Sequence, residues 1–284
     1  MAVMAAGCGI REAQQSSPPP DSSANGEDSV ITVFAAASLT EAFNAIAREY
    51  QSLHPDSEVV LNVDGSQRLR TQLEHGAKAD VFASADWDQM EAVADLGLTA
   101  SPAVNFASNR LAILAFAGSG GNLDIEALDT NTMPQPAFRI QLEALARPQT
   151  KIVLGQGEVP IGRYTERLLE NIEAAPHLGR QMANGLRANV VSREANVRAI
   201  VQKVNLGEAD AGVVYSSNAS LVTAGVRVLE LPDPINVTAH YPIAGLTRKP
   251  ESAAFLDFVL SDSGQKILRS YSFGPPLEAQ GDTP

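Results

Sequence analysis

The sequence predicts an α/β fold, and three observations support this class. From residue 30 onward, short apolar runs alternate with amphipathic segments, as in a β-sheet covered by helices. The chain of 284 residues is long enough for one large domain or for two modest lobes with buried cores. Its hydrophobic fraction of 44% and its charged fraction of 19% are those of an ordinary globular protein.

Strands and helices alternate through the first part of the folded region. Short β-type runs mark the strands, and apolar residues three or four positions apart, as at Leu69 and Leu73, mark the helices. The predicted strands are Val30–Ala36, Glu58–Val63, Asp80–Ala83 and Arg110–Phe116. The predicted helices are Leu39–Ser52, Gln67–His75 and Trp87–Leu96.

The same two patterns continue in the second part, where Leu168 and Ile172 show the helical spacing. The predicted strands are Lys151–Gly155, Ala211–Tyr215, Val226–Glu230 and Tyr241–Leu246. The predicted helices are Ile161–Asn171, Val197–Leu206, Ser252–Leu260 and Ser263–Tyr271. Between the two parts, Gly118–Gly121 reads as a turn-rich loop, and Asp129–Ala137, with two prolines, reads as an irregular insertion.

The two ends of the chain are predicted to lie outside the fold. Small residues lead into Cys8 as in a bacterial lipobox, and the Ser-, Pro- and Gly-rich run that follows cannot bury a core. Residues 1–29 are therefore predicted to be a lipoprotein signal remnant and a disordered tether, with lipidation at Cys8. The alternative is a disordered tail with a chance cysteine. Residues 274–284 are predicted to form a loose tail.

Charge and composition exclude several classes of partner and chemistry. The net charge of -12 argues against a nucleic acid or an anionic membrane surface, because both bind basic proteins. The four histidines are scattered without the spacing of metal ligands, so no zinc site is predicted. Cys8 is the only cysteine, which excludes an intramolecular disulfide.

Small residues stand at the start of four predicted helices, without a Lys or Arg at the centre of these motifs. They are Ser38, Ser66 after Gly65, the Gly155–Gly162 loop that leads into Ile161, and Asn196 before Val197. The free N–H groups and the helix dipole of a first turn attract anions. Each serine taken alone is better explained as a helix cap, and Ser38 and Glu41 have the spacing of a capping box.

Tyr215 ends a predicted buried strand among small residues, so its hydroxyl can reach a cleft. The alternative is a tyrosine with its ring in the core and its hydroxyl in water. The glycines at 155–162 do not have the spacing of a dinucleotide-binding loop. No catalytic triad, carboxylate pair or nucleophile elbow has a supporting context.

Taken together, these motifs make residues 30–273 resemble the periplasmic molybdate-binding proteins of ABC transporters, within the type II periplasmic binding protein superfamily. The matching motifs are Val33–Thr40, Gly76–Asp86, Val159–Tyr164, Asn196–Arg198 and Gly207–Tyr215. The resemblance implies two lobes, each a mixed β-sheet flanked by helices, with the ligand cleft between them. It implies that residues 30–108 plus 231–273 form lobe 1 and that residues 109–230 form lobe 2.

The resemblance also implies a function and a binding site. The implied function is capture of a tetrahedral oxyanion, molybdate or tungstate, outside the cytoplasm, and its delivery to an ABC transporter permease by a lipid-anchored monomer that has no cofactor and no enzymatic activity. The implied ligands of the anion are two serine hydroxyls, a tyrosine hydroxyl and two backbone N–H groups: Ser38, Ser66, Tyr215, Ile161 and Val197.

Other ligands remain as alternatives at this point. Proteins of the same fold bind other ligands: sulfate, phosphate, an organic anion or a ferric ion. An organic anion usually requires an Arg clamp, and a ferric ion requires clustered Tyr, His or Asp. Asp64 and Gln67 depart from the small or hydroxyl residues that the family has beside Ser66. Asp64 leaves phosphate open, since a protonated anion needs an acceptor. Arg68 is predicted to face solvent. An enzyme is the third hypothesis.

Overall fold

A computed structural model describes residues 30–117 and 135–277 of the protein. Cys8 and the predicted tether lie outside them, as do the predicted Gly118–Gly121 loop and the end of the tail. The segment predicted as irregular, Asp129–Ala137, is described only from residue 135, where a helix has begun.

Nine strands and nine α-helices follow one another in the described residues. The strands are β1 (Val30–Ala36), β2 (Glu58–Asp64), β3 (Val81–Ala83), β4 (Val104–Phe116), β5 (Ile152–Gly155), β6 (Val190–Glu194), β7 (Ala211–Tyr215), β8 (Val226–Glu230) and β9 (Thr238–Gly245). The helices are α1 (Thr40–Leu53), α2 (Ser66–Glu74), α3 (Trp87–Asp95), α4 (Gln135–Leu145), α5 (Pro160–Ala174), α6 (Gly179–Ala188), α7 (Val197–Asn205), α8 (Pro250–Leu260) and α9 (Asp262–Ser270). Short 3-10 helices cover Ala37–Leu39 and Ser216–Leu221.

The strands form one continuous sheet in the order β2-β1-β3-β9-β4-β7-β5-β6, with β8 also paired to β4. Its two ends are parallel, at β2-β1-β3 and at β7-β5-β6, and antiparallel pairs join them through β9 and β4. The long strand β4 belongs to both ends, because Val104–Arg110 pairs with β9 whereas the rest pairs with β7 and β8. We call β1, β2, β3 and β9 the first strand group and β5–β8 the second.

Helices cover each strand group separately. Helices α1, α2, α3, α8 and α9 pack on or beside the first group, and α4–α7 pack on or beside the second. The central strands β5 and β7 are buried along their whole length, as expected for parallel strands covered on both faces. Edge strands β2 and β6 instead alternate in burial.

The main apolar core runs through both groups. In it Phe43 of α1 packs edge-to-face on Phe106 of β4, with ring centroids 5.7 Å apart. A smaller cluster around Phe34, Phe82 and Met90 fills the other face of the first group. Apolar side chains thus pack on both faces of the first strand group, and the loops at the helix starts adjoin this packed core.

The structure departs from the sequence prediction in four elements. Strand β4 begins at Val104 rather than Arg110, and β6, α4 and α6 were not predicted. The run Val190–Glu194 is polar and half-exposed because it is an edge strand, so its hydrophobic pattern is weak. Helix α4 begins beside Pro136, in a segment that its two prolines made appear irregular.

The predicted loose tail also needs a correction at its start. The Gly274 N–H donates to the Ser108 carbonyl at 2.8 Å, and the Pro275 and Leu277 carbonyls accept side-chain hydrogen bonds from β4. Residues 274–277 are therefore held against the sheet. Among the described helices, none combines the length and the hydrophobicity that crossing a membrane requires.

Candidate functional site

A cavity lies where four helix starts meet between the two strand groups. It encloses about 240 Å³, part of it open to solvent. All five residues that the sequence predicted as anion ligands line it, together with small and neutral neighbours: Ala36, Ala37, Ser38, Gly65, Ser66, Gln67, Ala85, Val159, Pro160, Ile161, Asn196, Val197 and Tyr215. The fold thus brings together motifs that are up to 177 positions apart, Ser38 to Tyr215.

Ser38 lies in the 3-10 helix that precedes α1, and it is buried. Its side chain does not cap the helix, so the predicted capping box with Glu41 is wrong. The Ser38 Oγ instead lies 2.9 Å from the Oη of Tyr241 on β9. A hydroxyl that is not used for capping is available for a ligand.

Ser66 is the first residue of α2, and Gly65 takes the position of the N-cap. The Ser66 Oγ accepts a hydrogen bond from the Ala85 N–H at 3.1 Å. An oxygen that accepts from the backbone keeps its own proton for another acceptor. Ser66 is therefore set to donate into the cavity rather than to cap its helix.

Helix α5 begins at Pro160, one residue before the predicted start at Ile161, with Val159 as its N-cap. Proline is favoured there because it has no N–H that would need a partner. The N–H groups of Gly162 and Arg163 donate to the Val159 carbonyl, whereas Ile161 N–H is one of the first-turn groups that the helix leaves free. Ile161 lines the cavity at this helix start.

Helix α7 begins at Val197, and Asn196 caps it as predicted. The Asn196 Oδ1 accepts from the Ala199 N–H at 3.1 Å. The cap satisfies the third helical position and leaves the Val197 N–H at the first position without a partner inside the helix. The dipoles of α5 and α7 also place partial positive charge at this wall of the cavity.

Tyr215 ends β7 and is 2% exposed. Its Oη is buried and has no hydrogen-bond partner of good geometry among the described residues. Burial raises the pKa of Tyr215 well above its ordinary value, and the nearby Tyr241, Tyr164 and Asp86 raise it further. Tyr215 therefore stays protonated, with a donor that the protein leaves unused. A buried hydroxyl of this kind is costly, and an anion in the cavity would satisfy it.

None of the described residues that line the cavity has a charged side chain. Arg68 faces solvent, as predicted, and pairs with Asp64 at 3.5 Å. Asp64 is also engaged, because its Oδ1 accepts from the Gly65 N–H and from Asn196 Nδ2. Asp64, the acceptor that kept phosphate as an alternative ligand, is thus not among the cavity-lining residues.

A buried carboxylate, Asp86, follows the cavity-lining Ala85. It caps α3 and forms an ion pair with Arg163 of α5, which also contacts Asp88 at 2.8 Å. Burial raises the pKa of Asp86, and the Arg163 charge opposes that rise. The ion pair compensates the carboxylate charge, which would otherwise repel an anion nearby.

Reciprocal hydrogen bonds join the two walls of the cavity. From the first wall, Gln67 Nε2 donates to the Ala195 carbonyl at 2.8 Å, and from the second, Asn196 Nδ2 donates to Asp64 Oδ1 at 3.1 Å. Gly65 makes this approach possible, since a Cβ there would lie 2.7 Å from the Ala195 oxygen. These contacts hold the segment that carries Ser66 against the segment that carries Val197.

Sequence reasoning missed two contributors to the site. Tyr241 was predicted only as the start of a strand, yet its hydroxyl contacts Ser38. Gln67 was seen only as a departure from the family pattern, yet it bridges the cavity walls. Both contacts join residues more than 120 positions apart, and no local pattern signals such a contact.

Several known proteins are similar to this chain over most of its length. A family profile described as "Bacterial extracellular solute-binding protein" matches residues 31–274. The molybdate-binding protein ModA of Mycobacterium tuberculosis strain H37Rv is 36% identical over 249 residues, which are 87% of this chain and 85% of that protein. A putative ABC transporter substrate-binding lipoprotein of Bacillus subtilis is 27% identical over 262 residues, 89% of each chain.

The fold is shared with a solved protein as well. The substrate binding domain of a putative molybdenum ABC transporter from Clostridium difficile superposes with a TM-score of 0.61 at 25% identity, covering 88% of this chain and 99% of that one. Such neighbours are two-lobed periplasmic binding proteins, which confirms the predicted fold class. The resemblance drawn from the sequence motifs is also confirmed, and the chain belongs to the bacterial extracellular solute-binding protein family.

Proposed function

We propose that this protein captures molybdate, and also tungstate, in the cavity at the four helix starts and delivers the anion to an ABC transporter permease. The observation that carries the proposal is the convergence of neutral donors on one cavity without a charged side chain in its lining: the hydroxyls of Ser38, Ser66 and Tyr215 and the first-turn N–H groups of Ile161 and Val197. The names of its relatives support the same anion.

Energetics support tight binding by such a cavity. A hydrogen bond from a neutral donor to an ionised acceptor contributes about 1.5–3 kcal/mol. Five of them can outweigh the costs of desolvating the anion and of ordering the cavity walls. Helix dipoles add to this at short range, so the net negative charge of the chain does not prevent binding of an anion inside the cavity.

The geometry favours a fully deprotonated tetrahedral anion. Molybdate, tungstate and sulfate carry no proton at neutral pH, whereas hydrogen phosphate carries one and needs an acceptor. Asp64, the acidic residue beside the Ser66 motif, is engaged with Gly65 and Asn196, and the buried Asp86 is paired with Arg163. Sulfate is the second candidate, because it is also a tetrahedral dianion and can accept the same hydrogen bonds.

In this proposal, residues 30–108 plus 231–273 act as lobe 1 and residues 109–230 as lobe 2, closing on the anion as a monomer. The chain crosses between them within β4 and between β8 and β9, which provides a two-stranded hinge. The anion bridges donors from both lobes and so shifts the population toward the closed form. Lipidation at Cys8 and a tether over residues 1–29 would keep the protein at the outer face of the membrane, near the permease.

Titration of the full chain with molybdate, tungstate, sulfate and phosphate tests the proposal. Thermal unfolding is expected to shift upward with molybdate and tungstate at equimolar ratio, with phosphate giving no shift. Small-angle scattering is expected to show compaction with the same two anions. A shift with phosphate alone, or with none of the four, contradicts the proposal. The Ser38→Ala variant is expected to bind molybdate more weakly. If instead the protein turned over a substrate and this activity required Ser38, an enzyme would be the better interpretation.

A further inference from the structure

We propose that Arg163 and Arg198 are positioning residues that hold the two strand groups together around the bound anion and so slow its release. The inference rests on the proposed function and deepens it, because it names the residues that control release from the same cavity. Neither arginine lines the cavity, so both act through the segments that they connect.

Arg198 forms an ion pair between the two strand groups. It directly follows Val197 at the start of α7 in the second group, and its partner Glu41 lies in the first turn of α1 in the first group, three residues after Ser38. The Arg198 Nη1 lies 2.6 Å from the Glu41 Oε1. The pair therefore joins the helix start that carries the Val197 N–H to the one that carries the Ser38 hydroxyl.

Arg163 connects the segments of the other helix starts in the same way. It lies two residues after Ile161 in the first turn of α5, and it pairs with Asp86, the N-cap of α3 in the first group. Asp86 directly follows Ala85, whose N–H donates to the Ser66 Oγ. This second ion pair therefore joins the helix start of Ile161 to the segment that supports Ser66.

The Arg163 guanidinium is held in one orientation by further contacts. Its Nη1 donates to the Glu158 carbonyl of its own strand group at 2.7 Å, and its Nε lies 2.8 Å from the Asp88 Oδ2. The donors of a guanidinium have fixed directions, so the remaining Nη2 is directed at the buried carboxylate of Asp86. A charge-assisted contact of this kind is stronger than a neutral hydrogen bond.

Both ion pairs depend on contact between the strand groups. In the proposed motion, opening separates α1 and α3 from α5 and α7, so each pair must break before the anion can leave. Other ion pairs stay within the second group, as Arg139–Glu143 does within α4. Loss of a contact that is made only in the closed form is expected to raise the dissociation rate and to leave the association rate nearly unchanged.

Glu41→Gln is the sharpest test, because two explanations predict opposite effects. If Glu41 acted on the anion only through its charge, removal of that charge would slow the release of the anion. If Glu41 holds Arg198, the dissociation rate should rise roughly 1.5- to 5-fold, the effect of losing one exposed ion pair. Release of radiolabelled molybdate from the full chain, chased with unlabelled molybdate, measures this rate.

Arg198→Gln and the double variant complete a double-mutant cycle with Glu41→Gln. Each single substitution is expected to raise the dissociation rate, and the double variant is expected to release molybdate no faster than the faster single variant. Arg163→Gln is expected to have a larger effect, roughly 10- to 100-fold, because the buried Asp86 loses its counter-charge.

Arg139→Gln is the matched control, since it removes an arginine whose ion pair lies within one helix. Its dissociation rate is expected to equal that of the wild type. Thermal melting of each anion-free variant checks that it folds, and the association rate of each variant shows whether the cavity itself is intact.

The outcomes distinguish this inference from the proposed function. A wild-type chain that binds molybdate, combined with an unchanged or slower release from Glu41→Gln or with additive effects in the cycle, overturns the role of the ion pairs and leaves the function intact. A wild-type chain that does not bind molybdate contradicts the proposed function and this inference together.

Discussion

Replacing Tyr215 by Phe is expected to have opposite effects on the free protein and on its complex with molybdate. The Tyr215 Oη is buried at the cavity and has no partner of good geometry among the described residues. A buried polar group without a partner costs about 1–3 kcal/mol. Its removal should therefore leave the free energy of unfolding of the anion-free protein unchanged or raise it by up to that amount.

In the proposed complex with molybdate, the same hydroxyl donates to the anion. Loss of a charge-assisted hydrogen bond costs about 1.5–3 kcal/mol, so the dissociation constant should rise roughly 12- to 150-fold. At a molybdate concentration of about 1,000 times the wild-type constant, the anion adds about 4 kcal/mol to wild-type stability. A variant with a constant about 100-fold higher gains only about 1.4 kcal/mol at that concentration.

Urea denaturation with and without molybdate measures both effects in one series. Tyr50→Phe serves as the control, since Tyr50 is a buried tyrosine of α1 that packs on Phe255 and Phe258 and does not line the cavity. That control should keep its anion affinity. If Tyr215→Phe destabilises the free protein and leaves the molybdate dissociation constant unchanged, the hydroxyl serves the fold and not the ligand.

Two further substitutions probe the contacts between the cavity walls. Gly65→Ala places a Cβ 2.7 Å from the Ala195 oxygen. The overpacking costs about 1–3 kcal/mol, so molybdate binding should weaken roughly 5- to 150-fold, and scattering should show a less compact complex. The control Gly157→Ala has nothing within 4 Å of its added Cβ, so neither effect is expected. Asp86 has its pKa raised above 3.8, chiefly by burial that Arg163 only partly offsets. The folded state therefore binds this proton more tightly than the unfolded state, and the stability of the wild type relative to Asp86→Asn should fall as the pH rises through the acid range above 3.8. Urea denaturation over that range measures the difference, and a relative stability that increases with pH would show that the ion pair outweighs the burial penalty.

Much of this fold could be predicted because its elements carry strong local patterns. Strand β1 and helix α7 have clear periodicity, and Pro160 and Asn196 mark helix starts by the chemistry of single residues. Strand β6 lacked such a signal, since an edge strand is half-exposed and polar. The sheet order also could not be read from local patterns, because β4 and β9 pair across more than 100 positions.

The site residues, too, could be predicted only in part from local sequence patterns. The five predicted ligands each stand at a helix start or a strand end, positions that the sequence marks. The role of each serine was harder to predict, because capping and ligand binding favour the same residue type at the same position. Neither serine caps its helix, because the Ser38 hydroxyl contacts Tyr241 and the Ser66 hydroxyl contacts Ala85. Only the folded chain brings these distant partners together.

We propose that neutral donors from both strand groups converge on one molybdate ion. Anomalous diffraction at the molybdenum edge, from crystals of the protein grown with equimolar molybdate, tests it directly. A single anomalous peak is expected within the cavity, with the anion oxygens in hydrogen-bonding reach of five groups: the hydroxyls of Ser38, Ser66 and Tyr215 and the N–H groups of Ile161 and Val197. An anomalous peak outside the cavity, a molybdenum site ligated by carboxylates, or the absence of any peak in these crystals would contradict the proposal.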